Sequence, residues 1–266
     1  MPLAVCATPI GNLEDVTLRV LDELRAADVI LCEDTRHTRV LLERHGISAR
    51  LLSYHEHSEA KRTAELLPRL QAGERVALVS DAGLPGISDP GARLVGAALE
   101  AGVRVTVLPG PSAADTALVA SGFEAERYQF VGFLPRGAKQ LHALWEELAR
   151  WPHPVVAFES PRRLPATLRS LAETDPERPV AVCRELTKKF EEVVRGSAAE
   201  VAARFPTPPK GEITLVLGAG TARDDSAAGV AAVAELVDAG LPRRQAADVV
   251  ARLTGTSRNE LYRRTL

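Results

Sequence analysis

Short apolar runs rich in Val, Ile and Leu alternate along this chain with segments whose apolar residues recur at helical spacing. The runs are Leu3–Ala7, Val29–Cys32, Arg75–Val79, Val103–Leu108, Tyr128–Phe133, Val155–Phe158, Val180–Val182 and Ile213–Leu217. Helical spacing falls at Thr17–Ala27, Arg36–His45, Ser58–Ala72, Pro90–Ala101 and Pro111–Ala120. Alternation of this kind predicts an α/β protein with a largely parallel sheet in its first half. Phe190–Arg195 alternates loosely between charged and apolar residues, as a half-exposed strand does, and follows another strand closely, so the second half is expected to be more antiparallel. The polar run from Ser121 to Arg127 divides the α/β pattern into units at 1–121 and 122–219. Gly218–Ser226 is small, polar and aperiodic, which predicts a linker. Beyond it, helical patterns at Gly229–Ala239, Pro242–Leu253 and Ser257–Arg264 predict a helix-turn-helix-like tail over 227–266, with one of its turns at Thr254–Gly255–Thr256.

With 266 residues, 45% hydrophobic and 26% charged, the chain can bury a substantial core, which excludes disorder over most of its length. No apolar run approaches the roughly 20 residues that span a bilayer, and the N-terminus lacks a basic flank before an apolar region. A cytoplasmic protein with no membrane partner is the expectation. Cys6, Cys32 and Cys183 stand far apart, which gives neither a zinc spacing nor a disulfide framework and fits a reducing compartment. A net charge of −2 excludes a surface that binds polyanions everywhere, so any nucleic-acid site is local. The tail is such a place: between Leu241 and Leu266 six arginines face only Asp248 and Glu260.

Candidate chemistry gathers in loops that follow predicted strands. Ala7–Asp15 contains Pro9 and Gly11, Ser80–Gly91 is dense in Gly and Pro, and Leu108–Ala114 contains Pro109, Gly110 and Pro111. Such loops let a backbone approach a ligand closely, and at the carboxyl ends of neighbouring strands they line a crevice. None has the spacing of a dinucleotide or phosphate loop. Asp89 reads as a cap for the following helix with Pro90 in its first turn, and Pro111 is likewise placed for a first helical turn. Asp81 has no capping job and is left to hold hydroxyl or amino groups of a ligand. His55 and His57 alternate on an extended segment without a third ligand, so no metal site is expected.

The motifs ATPIGNLEDVTLR, EDTRHTRVLL, SYHEH, SDAGLPGISDPG, LPGPSA, FVGFLPR, FESPRRL, RELTKKFEE and KGEITLVL occur in this order between Leu3 and Leu217. Together they resemble the tetrapyrrole methylase superfamily of S-adenosylmethionine-dependent methyltransferases, and within it the bacterial enzymes that 2′-O-methylate cytidine in 16S ribosomal RNA. The resemblance implies two α/β domains with the methyl donor in the cleft between them, and a homodimer. The donor positions it implies are Ile10, Val79, Ser80, Asp81, Leu84, Ser112 and Ala113, joined by Glu159, Leu186, Gly211 and Ile213. Tetrapyrrole-modifying members carry a more glycine-rich first loop than Ala7–Asn12, which favours the RNA-modifying branch with ribosomal RNA or the small ribosomal subunit as partner.

A ribose hydroxyl is a poor nucleophile at neutral pH, so its methylation gains from a proton acceptor. Asp34 or His55 is the candidate acceptor, with Arg36 and Lys188 orienting phosphate or polarising the hydroxyl, and Glu185 or Glu191 as substitutes. Methylation of a tetrapyrrole carbon or another small molecule is the enzymatic alternative, and a non-catalytic RNA-binding module the other.

Overall fold

The computed structural model describes residues 2–220, 226–254 and 256–266. The middle of the expected linker and Gly255 of the expected tail turn lie outside the described residues.

The first half runs β1 (Leu3–Cys6), α1 (Leu18–Ala26), β2 (Val29–Cys32), α2 (Thr35–Arg44), β3 (Leu51–Ser53), α3 (Glu59–Gln71), β4 (Val76–Leu78), α4 (Ala92–Glu100), β5 (Val105–Leu108) and α5 (Ala113–Ser121). Its strands form a five-stranded sheet in the order β3-β2-β4-β1-β5, every pair parallel. The sheet is buried on both faces, which is why its strands read as unbroken apolar runs. Leu3, Val5, Val29, Leu31, Val76 and Leu78 face α3 and α4, while Ala4, Cys6, Ile30, Cys32 and Ala77 face α1 and α2. β3, not among the predicted strands, is a half-buried edge of three residues and too short to show a period.

Two helix starts differ from expectation. α4 begins at Ala92, not Pro90: Gly91 occupies the cap position at φ 139° with no side-chain cap bond, so Asp89 does not cap it. A side chain at Gly91 would meet Leu78 Cδ2 at 2.9 Å, so close packing on β4 as well as the dihedral requires glycine here. α5 begins at Ala113 because the Ser112 hydroxyl accepts from the Asp115 N–H at 3.3 Å, which leaves Pro111 outside the helix.

The second half runs β6 (Gln129–Phe133), α6 (Ala138–Ala149), β7 (Val155–Glu159), α7 (Leu164–Thr174), β8 (Pro179–Arg184), β9 (Glu192–Ser197), α8 (Ala198–Arg204) and β10 (Ile213–Leu217). Its sheet has the order β6-β7-β10-β8-β9, and only β6 and β7 are parallel, in line with the expected antiparallel character. One face packs on α6, α7 and α8 through Trp145, Leu148, Leu168 and Val201. The other face presents Val156, Ala181, Cys183 and Val216 to α5, whose Ala114 and Ala117 allow close approach. A helix that follows the last strand of the first sheet therefore covers the second, and this sharing holds the two halves together.

The tail helices α9 (Ser226–Asp238), α10 (Arg243–Thr254) and α11 (Arg258–Arg264) pack on one another around Val233, Ala246, Ala247, Val250 and Leu261, a core of their own. Among the described residues no helix is long and apolar enough to cross a membrane. Because the tail core is separate, deletion of residues 227–266 is expected to move the melting temperature of the remainder by less than ~3 °C in differential scanning calorimetry. A larger fall would place the tail within the main core.

Candidate active-site cleft

A cavity of about 740 Å³ lies where the loops after β1, β4 and β5 meet the second sheet. These three strands are neighbours in the order β4-β1-β5, so their carboxyl-terminal loops emerge side by side. The loops are also fastened to each other: Thr8 and Gly83 exchange backbone hydrogen bonds at 2.8 and 3.1 Å, and the Thr8 hydroxyl donates to the Ser80 carbonyl at 3.0 Å. The opposite wall comes from the aromatic rings of Phe130, Phe133 and Phe158, from Leu186 and from residues 211–214.

The first loop interlocks with the turn after β8. Asn12 donates its N–H to the Thr187 hydroxyl at 2.9 Å, and an added Cβ at Gly11 would stand 2.7 Å from the Leu186 carbonyl oxygen. Beside this contact, Glu185 accepts from Lys188 Nζ at 3.1 Å and from the Glu212 N–H at 2.9 Å, and Lys188 reaches the Glu212 carboxylate at 2.9 Å. The Glu212 N–H, followed by Lys188, holds the Glu185 carboxyl below its ordinary range. For Lys188, burial acts to lower the pKa, but the bonds to Glu212 and Glu185 together outweigh it and raise it, so the ammonium stays charged. A smaller cavity of about 100 Å³, lined among others by His37, Thr38 and Lys188, adjoins the large one along Ile10, Asp81, Ala82 and Glu212.

The large cavity is lined by Ile10, Asp81, Leu84, Ser112, Ala113, Glu159, Leu186, Gly211 and Ile213. Ser80 is buried beside it, lines the smaller cavity and donates its hydroxyl to the Gly83 carbonyl at 3.1 Å. Val79 lines neither; it is buried, with its N–H on the Leu31 carbonyl at 2.9 Å. Two carboxylates carry structural bonds. Asp81 accepts from the Asp34 N–H at 3.1 Å, a job its lack of a capping role does not suggest. Glu159 accepts from the Ser160 N–H at 2.6 Å, the Thr167 hydroxyl at 2.5 Å and the Arg163 guanidinium at 3.1 Å.

The acceptor-side candidates scatter. The Asp34 carboxylate caps α2 and takes both Nε and Nη2 of Arg36, at 3.1 and 2.7 Å. That side-chain pairing with Arg36, with the backbone N–H groups of the cap, pulls its pKa far below the usual carboxylate range, which makes it a weak proton acceptor. Arg36 is correspondingly engaged and otherwise exposed. His55 is exposed, stands edge-on to His57 at 6.2 Å between ring centroids, and lines neither cavity. Lys188 alone of the four lines a cavity.

The apolar pattern and the loop reading miss Asp89 and the aromatic wall. Asp89 lines the large cavity, and its carboxyl is pushed up to about 6, by burial first and then by the negative charges of Glu33 and Asp81. A capping residue and a free carboxylate look alike in sequence. The rings are brought together by the parallel pairing of β6 with β7, whose register shifts between Phe130 and Phe133. Phe158 consequently meets both rings edge-on, at 4.9 and 5.4 Å.

A two-part α/β fold with its cleft built from these loops defines a class. Residues 2–202 match the tetrapyrrole (corrin/porphyrin) methylase family, and residues 223–266 match the RsmI C-terminal HTH domain. Among solved structures, the methyltransferase CobJ has the same fold at 21% identity and a TM-score of 0.62, over 82% of this chain and 93% of that one. The uroporphyrin-III C-methyl transferase of Thermus thermophilus, solved with S-adenyl homocysteine, gives 22% and 0.58, over 81% and 96%. Ribosomal RNA small subunit methyltransferase I of Mesorhizobium japonicum is 45% identical over 99% of this chain and 91% of its own length. The protein of the same name from Escherichia coli O157:H7 is 40% identical over 99% and 94%. The chain belongs to the tetrapyrrole methylase family and, within it, to the ribosomal RNA small subunit methyltransferase I group.

The bond to Asp34 sets an expectation for Asp81. Asp81→Ala leaves a partly buried N–H without its partner and is expected to cost about 1 kcal/mol, read as a fall of roughly 2–4 °C in thermal melting. Asp81→Asn keeps an acceptor oxygen and is expected to recover most of that loss.

Proposed function

We propose that this chain is an S-adenosylmethionine-dependent methyltransferase that methylates the ribose 2′-hydroxyl of a cytidine in small-subunit ribosomal RNA. The observation that carries the reading is the union, in one chain, of the methylase cleft with a helix-turn-helix tail bearing Arg243, Arg244, Arg252, Arg258, Arg263 and Arg264. A tail of that charge is suited to phosphate and has no evident use in modifying a small tetrapyrrole. The proposed units are 1–121 and 122–219, which form the cleft, and 227–266 for RNA contact.

The cleft fits the donor. Its volume lies in the range of ligand cavities, its walls mix aromatic and apolar side chains with backbone groups, and Asp81, Asp89 and Glu212 give it negative charge. S-adenosylmethionine, when bound, supplies a methyl group activated by a positively charged sulfur. Ile10, Val79 to Asp81, Leu84, Ser112, Ala113, Glu159, Leu186 and Gly211 to Thr214 are proposed to hold it, Val79 and Glu159 by shaping the loops. Lys188, through its two carboxylate partners, ties the turn after β8 to the start of β10, beside Thr187, whose hydroxyl receives the first loop. Asp89 replaces Asp34 and His55 as the proposed acceptor of the ribose proton, because it lies in the cavity and its carboxyl is pushed up to about 6. The protein is proposed to act as a cytoplasmic homodimer. The exposed Val107 on edge strand β5 and Val119 on α5 support an apolar edge that a second copy covers.

Incubation with tritiated S-adenosylmethionine and small subunits lacking the modification is expected to place label in 2′-O-methylcytidine. Label in another nucleoside, or none, would overturn the reading. Deletion of 227–266 is expected to spare donor binding and to reduce methylation sharply. For the proton acceptor the sign follows from ionisation: Asp89 accepts a proton only as the carboxylate, so kcat rises with pH through about 6. Asp89→Asn is expected to lower kcat roughly a hundredfold to ten-thousandfold and to abolish that limb. A profile unchanged in shape assigns the proton to another group.

A further inference from the structure

At the edge of the cleft, β6 ends on Phe133, a residue 64% exposed although its ring rests edge-on against Phe158. The loop that follows is held rigidly. Arg163 Nη2 donates to the carbonyl oxygens of Leu134 at 3.0 Å and Pro135 at 2.6 Å, and also to the buried Glu159 carboxylate. The backbone at 134–135 is thus bolted to the start of α7. One residue beyond the bolt on each side stand Arg136 and Arg162, both exposed.

Neither of these arginines makes an ion pair or hydrogen bond with any described residue. By contrast, Arg36 is committed to Asp34, Lys188 to Glu185 and Glu212, and Arg184 to Glu192. In a chain of net charge −2, two exposed arginines on the backbone segments that flank the Arg163 contact, with Phe133 one residue before it, have a specific chemistry. An unpaired base stacks on a phenyl ring, while arginines hold the flanking phosphates. The ring belongs to the cavity lining and Arg162 adjoins Pro161, which also lines it, so whatever lands here is at the mouth of the cleft.

We propose that Phe133, Arg136 and Arg162 form the landing site for a single-stranded RNA segment, with a base stacked on Phe133 and phosphates held by the two arginines. The inference rests on the proposed function and adds where the acceptor strand enters, on the body of the protein and apart from the tail. A rigid rim suits this use, because a stacked base is held at a fixed distance from the cavity only if the loop beneath it does not yield.

The test uses the full chain and a fluorescein-labelled, cytidine-rich single-stranded oligoribonucleotide titrated across a salt series, with S-adenosylhomocysteine calorimetry in parallel. R136E/R162E is expected to weaken RNA binding at least about tenfold and to reduce the slope of log affinity against log salt by about 1.4, the contribution of two single-strand phosphates. Its S-adenosylhomocysteine affinity and melting temperature are expected to stay unchanged. Phe133→Leu keeps the apolar bulk and removes the stacking face, with a loss of roughly fivefold to a hundredfold in RNA affinity. The proposal is overturned if R136E/R162E keeps wild-type RNA affinity and slope, or if Phe133→Leu lowers only S-adenosylhomocysteine affinity, which would make the ring part of the donor wall. It is equally overturned if R136E/R162E changes the sedimenting mass, which would make the rim a contact between copies. Wild-type protein that neither binds RNA nor methylates subunits would instead sink the proposed function itself, and so the two failures are distinguishable.

Discussion

Backbone contact at Gly11 sets how the two halves of this protein meet. The Leu186 carbonyl lies where any side chain at residue 11 would stand, and the neighbouring N–H of Asn12 reaches the Thr187 hydroxyl. This approach brings the loop after β1 against the turn after β8, and Thr8 passes the constraint on to the β4 loop through its paired bonds with Gly83. The turn accommodates it by placing Glu185 and Thr187 at positive φ, 51° and 64°. Such conformations cost free energy for residues with side chains. Here the hydrogen bonds of Glu185, Thr187 and Lys188 to their surroundings offset that cost. Together with α5, which packs on the second sheet, this interlock fixes the spacing of the cavity's two walls.

Charge is partitioned around that junction. Inside the cleft Asp81 and Asp89 face no cationic partner among the described residues, and the charges of Asp81 and Glu33 contribute to raising the pKa of Asp89. Unneutralised arginines stand outside, on the rim at residues 136 and 162, and further arginines lie in the tail. A negative interior suits a cationic methyl donor and a positive exterior suits a polyanionic acceptor. One chain of nearly balanced net charge thereby presents opposite fields to its two proposed substrates.

The three loops were legible because Gly and Pro mark them and because each follows an apolar run. Their adjacency in the order β4-β1-β5 gives them one cavity. Other residues stand differently from what their local sequence suggests, because their surroundings are set in space. Asp89 precedes Pro90 and resembles a cap, but Gly91 packs on Leu78 and takes the cap position itself. Asp34 resembles a free acid and is the actual cap of α2, neutralised by Arg36 two residues on. His55 belongs to a motif-rich segment that the parallel sheet carries to its far edge, after β3 and away from both cavities.

By itself, the sequence determined the α/β class, most strands, the helices of the first half, the antiparallel lean of the second and the three helices of the tail. These follow from periodicity and from turn residues, which act over a few positions and survive in a linear reading. Only the tertiary structure decided that α5 leaves the first sheet to cover the second, that Phe130, Phe133 and Phe158 form one wall, and that Asp89 is raised while Asp34 is lowered. Each of these depends on which distant groups come within contact: a carboxyl's pKa is set by its burial and its neighbouring charges, and a ring's role by the strand that pairs beside it.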